Sequence, residues 1–521
     1  MESCCAAAAK LQTMIVAGGL PRSLLPCIAM SILLIVGSLV LTKNINEAPL
    51  IDWDEATYAE VAHQAVANHS YLDFTWNGQP YLKKPPILFW ALAISFKSFG
   101  ESEFSARLPS VIMGVGTTLL IYAMAAAEFG PLAGLLAGIL PFGFYFFLAR
   151  GGRECATDAP LIFFSTLAMF ALDRARSHRG WAAICGIACG LAMLSKGAAG
   201  LIPLTAAIIA VLVIPTFTSL GFAALISIVG MSVAVAAPWF LYQLVHNGPI
   251  FWTTYVKDET LLRIVDHLED KPASAGFTAR TFLTEIRYLW PITLPLAGLA
   301  HAAFRSGIWR TLRSIPPLVR VWLLWFVLAL GAACAVQTKL GWYILPALIP
   351  TALLSASIVA GAFLQSGPSR AFCLPLAVCA LLLLAFTAVP RWSRIEWDFA
   401  QQRAQSRPSY EMAMRAVAFA AVRGGGELYF AGPPLPTLVY YSGMRCHFVS
   451  PAEPDFELAD LGGNPISVSY HELVLRDPRG TVTAIDNFGD EWNASSPIWK
   501  RAHPFEQNLA SPVLDVRPIP E

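Results

Sequence analysis

Charged residues are scarce in this sequence. Only 14% of its 521 residues are Asp, Glu, Lys or Arg, whereas 56% are hydrophobic and the mean hydropathy is +0.55. Soluble domains carry about 25% charged residues, so the composition argues against an ordinary soluble protein. Apolar runs of spanning length recur through the first three quarters of the chain and indicate a polytopic membrane protein. The net charge of +1 identifies no partner, because the position of the charges matters more than their sum in a membrane protein.

Several common signatures are also absent. The ten cysteines form no CxxC pair and most lie inside apolar runs, so neither a disulfide framework nor a cysteine metal site is predicted. Gly424-Gly425-Gly426 lacks the GxGxxG spacing and predicts a turn rather than a phosphate cradle. No internal repeat is evident, and no convincing cleavage site precedes the apolar run from Leu24 to Leu41. We therefore interpret that run as a retained first helix.

The apolar runs predict an α-helical membrane domain over residues 1–390, with about 11–13 transmembrane helices. Eleven runs are about long enough to cross ~30 Å of hydrocarbon. They lie at residues 24–42, 108–127, 130–148, 156–173, 181–195, 198–216, 221–245, 286–305, 317–337, 342–363 and 371–390. A further segment, from Ile87 to Gly100, is short, contains Lys97 and follows two prolines, so we expect it to form a helix in the outer membrane interface.

The distribution of basic residues predicts the orientation. If residues 87–100 do not cross, most loop arginines and lysines fall on one side, which the positive-inside rule assigns to the cytoplasm. These residues are Lys10, Arg22, Arg174, Arg176, Arg179, Arg305, Arg310, Arg313 and Arg370. The outer side then carries residues 43–107, residues 246–287 and everything after Pro390. Because neither ATP nor nucleotide sugars are expected there, a transfer reaction would need an activated donor carried in the membrane.

Residues 391–521 change in character, with more charge, frequent Gly and Pro, and short apolar stretches. We expect a small extracytoplasmic α/β domain. The predicted helices lie at 409–423 and 434–441, and the predicted strands lie at 427–431, 466–475 and 481–485.

The most informative charges lie in the first outer loop. Asp52-Trp53-Asp54-Glu55 follows the first apolar run, and Lys83-Lys84-Pro85-Pro86 comes some thirty residues later. Carboxylates and paired lysines in one loop at a membrane face predict a site for a phosphate-bearing lipid.

Six motifs extend this pattern in order from residue 54 to residue 346. They are Asp54-Glu55-Ala56-Thr57-Tyr58-Ala59-Glu60, Tyr81-Leu82-Lys83-Lys84-Pro85-Pro86, Glu103-Phe104-Ser105-Ala106-Arg107-Leu108, Ala149-Arg150 with Thr157-Asp158-Ala159-Pro160-Leu161, Leu194-Ser195-Lys196-Gly197, and Lys339-Leu340-Gly341-Trp342-Tyr343-Ile344-Leu345-Pro346. As an ordered set they resemble the polyprenyl-phosphate-sugar-dependent glycosyltransferases of the GT-C fold. That group includes bacterial lipid A aminoarabinose transferases and, more distantly, protein O-mannosyltransferases.

The resemblance implies a multi-span fold with interfacial helices in loop 43–107 and an outward-facing active site. It implies a sugar donor linked to undecaprenyl or a similar polyprenyl phosphate, transfer with inversion at the anomeric carbon, and a lipid or glycan acceptor. The expected location is the bacterial plasma (inner) membrane, in contact with membrane lipids and with the site on the periplasmic side. No nucleic-acid partner is expected.

Displacement of a phosphate by an acceptor oxygen needs a carboxylate near the nucleophile. We expect Asp54 to be that carboxylate, with Asp158 as a second catalytic residue; the alternative for Asp54 is a helix N-cap. The leaving phosphate needs fixed cations, a role that fits Lys84 and, less well, Lys83, although both could be ordinary interfacial lysines.

Other motif residues are expected to bind the substrates. Arg150 and Arg153 would lie beside Asp158, either on the phosphate or in a structural salt bridge. Lys196 and Lys339 would be phosphate ligands, or would extend to the interface. The remaining expected contacts are Glu55, Tyr58, Tyr81 and Tyr343.

One departure from the family pattern concerns metal binding. In the aminoarabinose transferases the residue before Lys-Pro-Pro is typically Glu, implicated with a later loop histidine in metal coordination; here it is Lys83. A protonated lysine is not a ligand, so we predict no metal between these loops, even though His267 lies in an acidic segment. No cofactor is expected, and a divalent metal elsewhere is left open.

Two other functions remain open. A transporter or flippase of lipid-linked sugars would usually show internal repeats and charges near the bilayer midplane, whereas the charges here gather at the outer side. The second alternative function is that of an oligosaccharide ligase or polymerase. The acceptor is also open among lipid A, another glycolipid, a cell-wall glycan and a protein hydroxyl.

Overall fold

The computed structural model is dominated by helices. It describes residues 24–266, 275–286, 315–365, 407–431, 434–449, 456–459, 465–468, 472–479 and 482–487. The α-helices are Leu24–Thr42, Asp54–Ala67, Ile87–Phe99, Glu103–Phe129, Pro131–Ile139, Tyr145–Ala149, Asp158–Ala175, Trp181–Lys196, Leu201–Val213, Pro215–Thr218, Gly221–Phe251, Arg263–Val265, Ala275–Ile286, Pro317–Ala335, Leu345–Gln365, 407–423 and Pro436–Ser442. A π-helix spans Trp252–Leu262, and 3-10 helices span Leu140–Gly143, Gly197–Gly200 and Gly341–Ile344.

The chain is a multi-pass membrane protein. Within the described residues, five helical segments are long and apolar enough to cross a bilayer. They are Leu24–Thr42, Glu103–Phe129, Trp181–Val213, Gly221–Val265 and Pro317–Ala335. The expected spans at 286–305 and 371–390 lie outside the described residues.

The segment expected to span at 130–148 is not one continuous helix. It consists of Pro131–Ile139, a 3-10 turn and Tyr145–Ala149. Pro141 has no backbone N–H to donate and so interrupts the α-helical ladder at this point. The break places Arg150 at the C-terminal end of a helix of only five residues.

Helices pack closely in the membrane domain where glycine removes the side chain. At Gly186, on Trp181–Lys196, a Cβ atom would lie 2.4 Å from the carbonyl oxygen of Ile228 on Gly221–Phe251. Glycine therefore allows the two backbones to touch, as small residues do in membrane helix pairs. Trp322 and Trp325 are fully buried in the main apolar core.

Residues 43–107, which we call the outer loop after their predicted side, contain two short helices, Asp54–Ala67 and Ile87–Phe99. The second confirms the helix expected at 87–100; it starts after Pro86 and stops at Gly100, whose φ of 77° suits glycine. Tyr58 and Phe89 pack edge to face between the two helices, with ring centroids 5.9 Å apart. This loop therefore has an apolar core of its own.

The described part of the C-terminal region contains helices and a mixed sheet. The sheet order is Cys446–Val449, Glu427–Ala431, Glu472–Arg476, Val482–Asn487, with the first pair parallel and the others antiparallel. The strand expected at 466–475 is instead two strands, Pro465–Val468 and Glu472–Arg476. Sequence patterns missed Cys446–Val449 and Phe456–Ala459, which are only four residues long.

Candidate active site

Asp54 is the first residue of the helix Asp54–Ala67, and its carboxylate contacts two side chains. It accepts a hydrogen bond from the Tyr58 hydroxyl at 3.0 Å and forms an ion pair with the Arg150 guanidinium. The N-cap residue is Trp53, and no side chain caps the helix, so the N-cap alternative for Asp54 is wrong. The Asp54 side chain is 39% exposed, so a ligand can reach the ion pair that it forms with Arg150.

Arg150 joins three carboxylates. Besides Asp54, its guanidinium contacts Asp158 at 3.2 Å and Glu154 at 3.4 Å. It also lies over the Trp342 ring, 4.3 Å from the centroid. One largely buried cation therefore fixes acids from the outer loop and from the start of Asp158–Ala175.

Lys196 adds a second cation on the other side of Asp158. Its ammonium is 2.5 Å from the Asp158 carboxylate and 5.6 Å from the centroid of the Tyr343 ring. Lys196 ends its helix because Gly197 follows with a φ of 50°, and a Cβ at Gly197 would lie 2.1 Å from the Tyr255 hydroxyl. The glycine thus turns the chain and leaves the lysine at the helix end.

Lys84 provides a third cation from the outer loop. It pairs with Glu259 of the π-helix at 2.7 Å. Glu259 also contacts Arg263 at 3.1 Å, and Arg263 donates to the Tyr343 hydroxyl at 3.4 Å. We call the whole set the charged cluster; its members are Asp54, Tyr58, Lys84, Arg150, Glu154, Asp158, Lys196, Glu259, Arg263, Trp342 and Tyr343.

Electrostatics keep Asp54 ionised. Burial alone would raise its pKa, but the charge and hydrogen bond of Arg150, together with the charge of Lys84, lower the pKa to about 2. Burial and the Asp54 charge raise the pKa of the Tyr58 hydroxyl well above its usual value, so Tyr58 stays a hydrogen-bond donor. Burial, with the charges of Glu55 and Asp54, raises the pKa of Glu154 to about 7 against the opposing effect of Arg150.

Tyr81 lies beside this cluster. Its ring packs edge to face on Phe89, with centroids 5.8 Å apart. Burial and the charges of Glu259 and Asp54 raise the pKa of its hydroxyl well above the usual value. Tyr81 is therefore a neutral hydroxyl at the rim of the site.

The other expected site residues have different surroundings. Glu55 forms a buried ion pair with Arg107 at 2.7 Å. Arg153 donates to the carbonyls of Val40 and Lys43, at the end of the first helix. Lys339 donates to carbonyls of Cys334 and Val336 at the end of Pro317–Ala335, and Lys83 is exposed.

Within the described residues, no three His, Cys, Asp or Glu side chains come together as metal ligands. His267 lies outside those residues, so the prediction of no metal between the loops stays a prediction. The two loops are nevertheless linked by an ion pair. It joins Lys84, which precedes Pro85-Pro86 in one loop, to Glu259 in the other.

Sequence reasoning missed part of the cluster. The sequence patterns predict no role for Glu154 or Arg263, and Glu259 is one of the acids in the segment around His267. The spacing of Glu259 and Arg263, four residues apart, is the signal that would have paired them on one helical face. Arg150 and Glu154 are also four residues apart, but they lie in the turn between Tyr145–Ala149 and Asp158–Ala175, where the sequence gives no reason to expect a shared helical face.

Comparison with known proteins agrees with this fold. Residues 83–247 match the family model of dolichyl-phosphate-mannose-protein mannosyltransferases. Two undecaprenyl phosphate-alpha-4-amino-4-deoxy-L-arabinose arabinosyl transferases are similar in sequence. The one from Pseudomonas aeruginosa is 28% identical over 62% of this chain and 58% of its own length. Transferase 1 from Sodalis glossinidius is 29% identical over 66% of this chain and 63% of its own length. This chain therefore spans about three fifths of the length of these relatives.

A crystal structure of ArnT from Cupriavidus metallidurans bound to undecaprenyl phosphate has the same fold, with a TM-score of 0.64 at 18% identity. The superposition covers 80% of this chain and 85% of that chain. The resemblance to polyprenyl-phosphate-sugar-dependent transferases of the GT-C fold is therefore confirmed.

Proposed function

We propose that this protein is an inverting glycosyltransferase that moves a sugar from a polyprenyl phosphate, such as undecaprenyl phosphate, to a lipid or glycan acceptor. The proposed site is the charged cluster, on the outer face of the bacterial inner membrane. One observation carries the proposal: the Asp54 carboxylate pairs with Arg150 in a cluster that also contains the cations Lys84 and Lys196. The site thus offers a carboxylate for the nucleophile and cations for a leaving phosphate.

In the proposed reaction the acceptor oxygen attacks the anomeric carbon from the face opposite the phosphate. The bond from that carbon to the phosphate oxygen breaks, and its electron pair leaves with the polyprenyl phosphate. Negative charge develops on this phosphate, and Lys84, Lys196 and Arg150 would stabilise it. Asp54 would stabilise the positive charge that builds at the anomeric carbon and orient the acceptor.

The low pKa of Asp54 bears on the acceptor. A general base works best when its pKa lies near the working pH, so a carboxylate with a pKa of about 2 removes a hydroxyl proton poorly. A phosphate acceptor arrives already ionised and needs only orientation. Because Asp54 is already paired with Arg150, we propose a phosphate group on a glycolipid, such as lipid A, as the acceptor to test before a sugar or protein hydroxyl.

The sugar is less defined. The names of the curated relatives favour aminoarabinose. Lys83, however, stands where those transferases typically carry Glu. We therefore propose a pentose or hexose on polyprenyl phosphate, with aminoarabinose as the first candidate to try.

The direct test is a transfer assay with purified protein in nanodiscs. Labelled undecaprenyl-phosphate aminoarabinose would be supplied with lipid A, and products would be identified by mass spectrometry. We expect one sugar added per acceptor phosphate and release of undecaprenyl phosphate. The contrary result has two parts: the labelled lipid moves between the leaflets of proteoliposomes, and no donor in a panel gives a new glycosidic product. That result would identify a flippase.

The mannosyltransferase family match favours a second candidate, a protein acceptor. The same assay with a Ser/Thr-rich peptide in place of lipid A distinguishes the two. A glycosylated peptide with no modified lipid would favour protein O-glycosylation.

A further inference from the structure

We propose that Asp52 is a positioning residue through which the C-terminal region holds Asp54 in place. The inference rests on the proposed function and gives residues 407–449 a part in the reaction. It comes from hydrogen bonds that join this region to the loop segment immediately before the reacting carboxylate.

The Asp52 carboxylate is bound from two separate elements of the C-terminal region. One oxygen accepts a hydrogen bond from the Ser409 hydroxyl at 2.9 Å, on helix 407–423. The other accepts from the backbone N–H of Thr437 at 2.9 Å, in the first turn of Pro436–Ser442. Asp52 therefore satisfies a free N–H at a helix N-terminus that lies 385 residues away in sequence.

Two further contacts hold Leu50, two residues before Asp52. The Tyr441 hydroxyl accepts a hydrogen bond from the Leu50 N–H at 2.9 Å and donates to Glu103 at 2.8 Å. The Thr437 hydroxyl donates to the Leu50 carbonyl at 3.3 Å. The helix Pro436–Ser442 thus binds the loop through both backbone and side chains.

A second docking point lies at a short hairpin of the outer loop, formed by the antiparallel strands Thr75–Trp76 and Gln79–Pro80. The Asn77 amide donates to the Cys446 carbonyl at 2.6 Å and accepts from the Cys446 N–H at 2.9 Å. Trp76, beside it, packs against the apolar cores of both the loop and the C-terminal region. The contact therefore continues beyond Asp52 over the face of the loop.

On the other side of Asp54 the chain is held by Glu55. Its carboxylate pairs with buried Arg107 and accepts the backbone N–H groups of Ile51 and Cys155. Asp54 is thus flanked by two anchored acids, one held by the C-terminal region and one by the membrane domain.

Backbone strain marks the residue between the anchors. Trp53 has a φ of 75°, a conformation that a bulky residue adopts only when its surroundings impose it. Loss of the Asp52 anchor would let Trp53 relax to a negative φ and turn Asp54 away from Arg150. Small errors in the placement of a reacting group can slow catalysis about 100-fold.

The test compares Asp52→Ala with Asp52→Asn in the transfer assay. Asp52→Ala removes both acceptors, and we expect kcat to fall about 10-fold to 100-fold with little change in the donor KM. Asp52→Asn keeps an oxygen for the Thr437 N–H and an amide that can donate to Ser409, so we expect activity close to wild type. Ser409→Ala, a milder change, should give an intermediate loss. Asp477→Ala, in an exposed turn of the same region, is the matched control and should have no effect.

Hydrogen exchange of residues 45–58 provides a readout that does not need substrate. Exchange should rise in Asp52→Ala and Ser409→Ala but not in Asp52→Asn or Asp477→Ala. This measurement separates a failure of docking from a failure of the proposed function, because it is informative even if wild-type protein transfers no sugar. Unchanged exchange in Asp52→Ala, or a change in donor KM with kcat intact, would overturn the proposal.

Discussion

Adjacent acids in the outer loop have different surroundings. Asp52, Asp54 and Glu55 lie within four residues, and the sequence predicts a catalytic role for Asp54 and a substrate contact for Glu55, with no role for Asp52. The structure separates them because successive residues of a helix point about 100° apart. Asp54 faces Arg150 and the charged cluster, Glu55 faces buried Arg107, and Asp52 lies before the helix, against the C-terminal region.

The buried pair of Glu55 and Arg107 should matter for stability. Arg107 is fully buried, and its loss would leave Glu55 charged without its partner, at a cost of about 3–5 kcal/mol. We expect Arg107→Ala to lower the midpoint of thermal unfolding in detergent by several degrees. Arg407→Ala removes an exposed ion pair with Glu411 and should change the midpoint little. Equal midpoints for the two variants would contradict this assignment.

Glu154 should make stability depend on pH near neutrality. Its pKa of about 7 lies above the ordinary value of 4.5, so the folded protein holds a proton that the unfolded chain releases. This contribution to stability is complete below about pH 4.5 and is lost as the pH rises through 7. We expect the unfolding midpoint of wild type to fall between pH 5 and 8, and Glu154→Gln to reduce that slope. Parallel pH profiles for the two proteins would show that another group is responsible.

At the scale of elements, the link between the outer loop and the π-helix could not be read from sequence. Lys83, which stands where the aminoarabinose transferases typically carry Glu, predicts only that no metal joins the outer loop to the loop that contains His267. The structure has an ion pair there, from Lys84 to Glu259, because the π-helix places Glu259 against the turn before Pro85-Pro86. A π-helix of eleven residues is rare, and such segments are frequent at functional sites.

The ion pair of Lys84 and Glu259 should compete with donor binding. A phosphate that binds Lys84 competes with the Glu259 carboxylate, whose charged hydrogen bond is worth about 1.5–3 kcal/mol, whereas the neutral hydrogen bond that Gln can still make is worth about 0.5–1.5 kcal/mol. The difference of about 1–1.5 kcal/mol should lower the donor KM of Glu259→Gln about fivefold to tenfold. Glu101→Gln, on the exposed pair with His63, serves as the control and should leave the donor KM unchanged. A higher donor KM in Glu259→Gln would mean that Glu259 holds Lys84 in its working position.

At the scale of the whole molecule, composition and apolar runs predicted the fold class. The ordered motifs, through the family resemblance that they carry, also predicted most residues of the charged cluster. Asp54, Lys84, Arg150, Asp158 and Lys196 belong to these motifs, and each stands at the end of a helix or in a short turn. Local patterns could not predict the contact between Asp52 and Thr437, because it depends on how distant parts of the chain pack. For the same reason local patterns could not predict that Arg153 and Lys339 donate hydrogen bonds to backbone carbonyls at helix ends.

The most direct test of the account separates donor binding from transfer in Asp54→Asn. The change removes the charge of Asp54 but keeps its size, so the cations of the cluster can still bind the donor phosphate. We expect donor affinity within a few fold of wild type, and a transfer rate lower by about 100-fold to 1,000-fold, the range typical for loss of one group that stabilises charge in the transition state. Asp73→Asn, in the same loop but hydrogen-bonded to Tyr242, should transfer sugar at the wild-type rate. Full transfer activity in Asp54→Asn would contradict the account.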